Sequence, residues 1–292
     1  MEFIRFFSKF ADVFNIVYQK LISAVRKVYA FLFLTMLLCI GCEWRLKPND
    51  EQPPKGIEVE RYDRIQALYL TTGDRAALQQ LNTRYSEQTR TLIEDLLRIG
   101  RVNDADINTK FLHLYQDSVL RTIIVDVERE YDDMSDLSRE LNKAFCELGD
   151  ALPDLEIPMI YAQIGVLKES IVVSGNTLGI CLDKYLGENY PIYQQFYTER
   201  ERHLMVRQMI VPDCLSFYIL SLFPFPDTND SMILRHYHMM KIQWVVNHLL
   251  KKEVFDSPEV KSVNAYMQKH RQMTIPQLLE SSDSTIVVLP NK

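Results

Sequence analysis

An apolar run over residues 28–42 separates a leader from the part of this chain that can fold in water. Arg26 and Lys27 precede the run, and the small residue Gly41 stands near its end. A helix needs about 20 apolar residues to cross the hydrocarbon core of a bilayer, and shorter runs are typical of signal peptides. The layout therefore predicts a signal peptide over residues 1–41, with a long N-terminal extension.

The end of the run carries a first resemblance. The sequence LCIGC, residues 38–42, resembles the lipobox of bacterial lipoproteins, in which a peptidase cuts before a cysteine that receives a lipid on its sulfur. The sequence departs from the usual pattern at Cys39, where Leu is commonest. The resemblance predicts lipidation of Cys42, and an uncleaved signal anchor is the alternative.

Residues 1–27 are longer than an ordinary basic segment of a leader, and their large apolar residues recur at helical spacing. One interpretation is a helix that lies on a membrane surface, with Lys and Arg between the apolar positions. The interpretation we prefer is a translation start further on, for example at Val25.

The charge of the remaining chain restricts its partners. Residues 42–292 carry 28 basic and 37 acidic residues, a net charge of −9, and no basic patch. Because nucleic-acid binding depends on clustered positive charge, a nucleic-acid partner is not expected. The cysteines that follow are Cys146, Cys181 and Cys214, an odd and widely spaced set. We expect buried free thiols, and a single disulfide is the alternative.

Periodicity predicts the organisation of the chain. Residues 42–56 are polar and hold three prolines, which is typical of a tether, here lipidated at its first residue. Helices are expected at 75–85, 86–99, 110–131, 135–148, 192–197, 201–209, 213–222, 231–252 and 258–271. Strands are expected at 57–63, 157–164, 170–174 and 178–182, with a hairpin turn at Gly175-Asn176. Residues 57–292 are therefore predicted to form one α+β domain, mostly helical, with a small central antiparallel or mixed sheet.

Common catalytic motifs are missing from the sequence. It has no G-x-G-x-x-G, no phosphate loop and no G-x-S-x-G. The acidic run at 126–136 lacks the glycine and final glutamate of a calcium loop and is expected to be a solvated helix junction. His236 and His238 lie two residues apart on a predicted helix and therefore point in different directions, so no metal site is expected.

Four segments, in order, carry a second resemblance. LDKYLGENYPIY at 182–193 and MIVPD at 209–213 are similar to signature segments of the gliding-motility lipoprotein family, GldB-like. IEVERYD at 57–63 and LGDALPDLEIP at 148–158 resemble the family's opening strand and its link into the sheet. The residues that match the family motif are Leu182, Asp183, Tyr185, Leu186, Gly187, Tyr193, Pro212 and Asp213. The motif either marks a site or identifies the fold through packing alone, and we favour the second.

The resemblance also implies a degenerate peptidase. The family is similar in architecture to zincin metallopeptidases, whose active helix carries H-E-x-x-H. The corresponding helix here, residues 212–220, has neither histidine nor glutamate. A later helix of the family often carries E-G-K, where this chain has Met239-Met240-Lys241. We therefore expect a zincin-like domain without catalytic residues, metal or cofactor.

The resemblance implies a non-catalytic cell-envelope protein, anchored by lipid in the outer membrane rather than the inner, that acts through protein contacts. Its expected partners are envelope proteins, including motility or secretion components. One alternative is a metal-dependent hydrolase that uses His236, His238 or Asp213. Another is a peptide- or glycan-binding module whose cleft is lined by aromatic residues: Tyr190, Tyr193, Phe196 and Tyr197.

Overall fold

The computed structural model describes residues 56–225, 232–283 and 285–287. These residues belong to one compact unit that begins at Gly56. The predictions for the signal peptide, for Cys42 and for all but the last residue of the tether lie outside the described residues.

Helices make up most of the described chain. In the first half they are α1 (Tyr62–Thr72), α2 (Arg75–Thr83), α3 (Ser86–Arg90), α4 (Ile107–Leu114), α5 (Ser118–Glu130) and α6 (Ser135–Ala151). In the second half they are α7 (Tyr193–Phe196), α8 (Glu199–Arg202), α9 (Ile210–Leu222), α10 (Met232–Leu250), α11 (Pro258–Lys269) and α12 (Ile275–Glu280). A π-helical stretch, Thr91–Leu97, continues α3, and short 3-10 turns occur at Leu182–Lys184 and Arg207–Met209.

Three strands form a small mixed sheet in the middle of the chain, which confirms the predicted fold class. They are β1 (Met159–Gln163), β2 (Ile171–Ser174) and β3 (Thr177–Cys181), in the order β1-β3-β2. Strand β3 runs parallel to β1 and antiparallel to β2. The β2–β3 hairpin turns at Gly175, whose φ of 54° lies in the left-handed region that glycine adopts readily.

The prediction of a strand at residues 57–63 is wrong, except for a single β-bridge at Glu60. Glu60 pairs with β1 in parallel, since its N–H donates to Ile160 O at 2.9 Å and its carbonyl accepts from Ala162 N at 2.9 Å. Helix α1 then begins at Tyr62. The buried positions of α1 follow helical spacing, which seven alternating residues could not reveal: Tyr62, Asp63, Gln66, Ala67 and Tyr69.

The single helix predicted at residues 110–131 is divided into α4 and α5. Asp117 caps the N-terminus of α5, because its carboxylate accepts from Val119 N at 2.8 Å and from Leu120 N at 3.2 Å. An aspartate in this position satisfies N–H groups that a new helix leaves unpaired. Likewise, the helix predicted at 201–209 is short α8 plus a 3-10 turn, and α12 was not predicted.

Packing joins the helices to the sheet. Helix α1 contacts β1, while α9 contacts β2 and β3 and also packs on α6 and α10. Cys181 and Cys214 are buried, but Cys146 is exposed on α6, so the prediction of three buried thiols is wrong at that position. All three are free. Within the described ranges, no helix combines the length and apolar character needed to cross a membrane.

The acidic run at 126–136 is more than a solvated junction. Arg64 donates to Asp132 at 2.7 Å, and Arg207 pairs with Asp136 at 2.7 Å. Arg61 donates to the carbonyl of Tyr131 at 2.8 Å. These bonds connect the junction between α5 and α6 to residues about 70 positions away in the chain.

Candidate functional site

The family-motif residues meet where two parallel strands end. Because β1 and β3 are parallel, their carboxyl ends lie at the same edge of the sheet. Residues 164–167 follow β1, and the 3-10 turn Leu182–Lys184 follows β3. We call this region, with the residues bonded to it, the motif network.

Asp183 connects the two strand ends. Its carboxylate accepts from Gly165 N at 2.6 Å and from Leu167 N at 2.5 Å. Val166 and Leu167 adopt φ values of 53° and 62°, which are costly for residues with these side chains. The side chain of Asp183 is fully buried, and burial raises its pKa despite these two bonds. The carboxylate is thus used to hold an unusual loop.

Contacts with Cys181, Gln66 and Tyr115 also fix the same loop. A Cβ on Gly165 would lie 2.7 Å from Cys181 Sγ, so the chain passes the end of β3 too closely for any side chain there. Gln66 of α1 donates to Ile164 O and accepts from Ile164 N, both at 2.9 Å. Tyr115 also donates to Ile164 O, at 2.8 Å. Neither Gln66 nor Tyr115 was singled out from the sequence.

Tyr193 anchors the second part of the motif. Its hydroxyl donates a very short hydrogen bond to the carbonyl of Asp183 and accepts from Leu186 N at 3.0 Å. The ring is fully buried. Gly187 follows with a φ of 110°, a conformation that favours glycine. The tyrosine six residues after Gly187 therefore has a structural role, because its hydroxyl bonds to the backbone near the start of the motif.

Tyr185 links the motif to α9. Its hydroxyl donates to Asp213 Oδ2 at 2.7 Å, and Tyr131 donates to the carbonyl of Tyr185 at 2.6 Å. Burial raises the pKa of Asp213 to about 6, although the hydrogen bond from Tyr185 and the charge of Lys184 act in the opposite direction. The pKa of Tyr185 is raised well above its ordinary value, mainly by burial. The sequence-predicted residues Asp183, Tyr185, Tyr193 and Asp213 therefore share one network.

The aromatic residues suggested as a ligand cleft mostly serve this network. Tyr190 donates to Asp126 at 2.8 Å, and Tyr197 donates to Leu167 O at 2.6 Å. The Tyr193 ring lies edge-on to both Tyr190 and Tyr197, with centroids 4.9 and 5.8 Å away. Of the four proposed residues, Phe196 alone is exposed, at 62%.

Pro212 takes a different position from the other motif residues. It lies in the first turn of α9, which begins at Ile210 and thus three residues before the predicted start, and it lines a cleft of about 270 Å³ between α6, α9 and the end of α10. Charged side chains of both signs border this cleft, including Glu140, Lys143 and Lys252.

The histidines and the Met239-Met240-Lys241 triplet lie on α10. His238 Nε2 donates to Phe223 O at 2.6 Å, which removes that nitrogen from metal binding. In the part of the chain that the structure describes, no group of three or more His, Cys, Asp or Glu side chains is placed to hold a metal ion. Lys241 is buried and donates to Leu279 O at 3.1 Å and to Ser281 O at 2.8 Å.

The chemistry open to the motif network is limited by its own bonds. The carboxylates of Asp183 and Asp213 accept hydrogen bonds from within the chain, and the pKa values of Tyr185 and Tyr193 are raised by burial. A phenol with a raised pKa is a poor nucleophile or base at neutral pH. The arrangement is suited to fixing the loops around the sheet edge.

The sequence matches the family described as Gliding motility protein GldB over residues 43–256. No curated protein and no solved structure matches the chain. The resemblance of the domain to zincins therefore stays a prediction.

Proposed function

The chain belongs to the gliding motility protein GldB family, and on that premise we propose a non-catalytic role for it in the cell envelope. In this proposal Cys42 carries a lipid that anchors the domain, in the outer membrane rather than the inner. The domain then acts through contacts with other envelope proteins, including motility or secretion components, and binds no nucleic acid.

The family match is the observation that carries the proposal. It covers well over half of the chain and includes the whole motif network. The matched region starts at residue 43, directly after the cysteine of the lipobox-like sequence. This coincidence supports Cys42 as the first residue of the anchored protein.

The use of the motif residues supports a role without catalysis. The conspicuous polar side chains, Asp183, Tyr193 and Asp213, are bonded within the chain. The bonds of Tyr193 connect the segment at 187–206 to the network, and within this segment Gly187 N donates to Met205 O at 3.0 Å. The motif then acts as a support for the surface of that segment.

That surface offers apolar side chains to a partner. Phe196 is 62% exposed, and Leu204 is 53% exposed, although both belong to the segment that contains the buried Tyr193. Exposed aromatic and aliphatic residues on a rigid support are typical anchors of protein interfaces. We therefore assign the partner contact to Phe196 and Leu204.

Site-specific photo-crosslinking in cells tests this assignment. A photoreactive amino acid is placed at position 196 or 204 of the full chain, and at Leu68 of α1 as a control with 44% exposure. We expect a discrete adduct with an envelope protein from positions 196 and 204 and none from position 68. The same adducts at all three positions, or none at any, would contradict the proposal.

A further inference from the structure

A cavity lined by residues C-terminal to the motif segments has features of a ligand site. It has a volume of about 410 Å³ and lies between the end of α9, the first half of α10 and the chain after α12. Most of its walls are apolar, with Leu222, Phe223, Leu234, Tyr237, Ile286 and Val287 among them. Cavities of roughly 300–1,000 Å³ with apolar walls and a few polar groups are typical of small-molecule sites.

Among the polar residues of the described ranges that line this cavity, Lys241 is the one lysine or arginine. Lys241 as a residue is 6% exposed, and two of its N–H donors bond to Leu279 O and Ser281 O. These carbonyls lie at the end of α12, where a cation is favourable. An ammonium group has three donors, so one remains without a partner in the described ranges. Burial lowers the pKa of Lys241.

No carboxylate balances this charge within the described part of the chain. Glu280 and Asp283 also line the cavity, but both are exposed and neither forms an ion pair with Lys241. Asp283 instead accepts from Thr285 N at 2.8 Å and from Tyr266 at 3.1 Å. His238, also in the lining, has its pKa lowered by burial and by the charge of Lys241.

Burying a cation without a counter-charge costs free energy. An anion that reaches this cation therefore interacts with it more strongly than it would in water. Apolar walls select a ligand with a hydrocarbon body. We propose that this cavity binds a single-chain fatty acid of medium length, with its carboxylate on Lys241 Nζ and its chain along the apolar walls. Part of the lining, residues 279–287, lies outside the region that matches the family.

Photoaffinity labelling of the full-length protein in nanodiscs tests the proposal. The probe is decanoic acid with a diazirine in its chain, and the matched probe is the corresponding decanol. We expect adducts on peptides that cover residues 222–241 and 279–287. Labelling by the acid should exceed that by the alcohol about tenfold, as expected for one charge-assisted hydrogen bond.

Matched variants test whether Lys241 is the residue that binds the carboxylate. Lys241→Met should bring labelling by the acid down to that by the alcohol, whereas Lys252→Met, at an exposed lysine, should leave both unchanged. Ser282→Trp changes an exposed residue of the lining and should reduce labelling by both probes. If Lys241→Met does not fold, the proposal is tested by the labelling of Ser282→Trp and by the ratio of acid to alcohol labelling in the wild type.

Three results would overturn the proposal. They are equal labelling by acid and alcohol in the wild type, unchanged labelling by the acid in folded Lys241→Met, and adducts confined to peptides away from the cavity. None of these results bears on the contact assigned to Phe196 and Leu204, which is tested separately by crosslinking.

Discussion

Asp213 illustrates how a single side chain in this protein takes its properties from its neighbours. It stands in the first turn of α9 and accepts a hydrogen bond from Tyr185 at 2.7 Å. Burial nevertheless dominates and raises the pKa of the carboxyl to about 6. A carboxyl whose pKa is higher in the folded than in the unfolded state stabilises the fold in its protonated form. Its contribution to stability is therefore complete at pH values below the unfolded-state pKa.

The substitution Asp213→Asn tests this effect. The contribution of Asp213 is present below about pH 4 and is lost as pH rises through about 6, because the folded state resists ionisation. Urea unfolding at a series of pH values should show the wild type losing on the order of 2–3 kcal/mol relative to the variant between acid and mildly alkaline pH. A difference independent of pH, or one that favours the wild type as pH rises, would contradict the assignment.

At the scale of elements, the motif network joins pieces that are short by themselves. Strands β1 and β3 have five residues each, and the 3-10 turn after β3 has three. Hydrogen bonds accepted by Asp183 and donated by Tyr185 and Tyr193 connect these pieces to one another and to α9. The segment that follows therefore depends on tertiary bonds more than on its own helical content.

Tyr193→Phe is predicted to loosen this segment. The change leaves Leu186 N without its acceptor and removes the donor to Asp183 O, which should lower the free energy of unfolding by about 1–3 kcal/mol. Hydrogen exchange should also become faster at the amide of Leu186.

Tyr218→Phe is the matched control, because the Tyr218 hydroxyl also donates to a backbone carbonyl, that of Glu156, at 2.5 Å. It should lower the free energy of unfolding without a selective change at Leu186. Equal exchange at Leu186 in both variants would count against the assigned role of Tyr193.

At the scale of the whole molecule, the family match and the leader make a joint prediction. The matched region begins directly after Cys42, and the apolar run ends at that cysteine. A membrane-anchored envelope protein follows from membership of a lipoprotein family. The attachment point itself is predicted from the sequence alone.

Intact mass of the membrane-extracted protein checks the attachment point. We expect the wild type to begin at a lipid-modified Cys42, and Cys42→Ala to remain an unprocessed precursor without lipid. Cys39→Leu, which brings the sequence closer to the usual lipobox, should be processed like the wild type. Retention of residues 1–41 in the wild type would instead favour the uncleaved anchor.

Local patterns were sufficient for the features that depend on near neighbours. The three strands, the Gly175 turn and the cap of α2 by Asp74 follow from short apolar runs, turn residues and capping preference. The mixed α+β class follows from the same signals. The positive φ of Gly187 is likewise a local feature, because glycine adopts this conformation readily.

The sequence alone thus determined most elements, the fold class and the family, because each depends on residues a few positions apart or on a short motif. Tertiary structure decided what the motif residues do. The bonds from Gln66 and Tyr115 to Ile164 span 98 and 49 positions, and the bond from Lys241 to Leu279 O spans 38. Hydrogen bonding and burial across such separations are properties of the packed chain, and no local pattern records them.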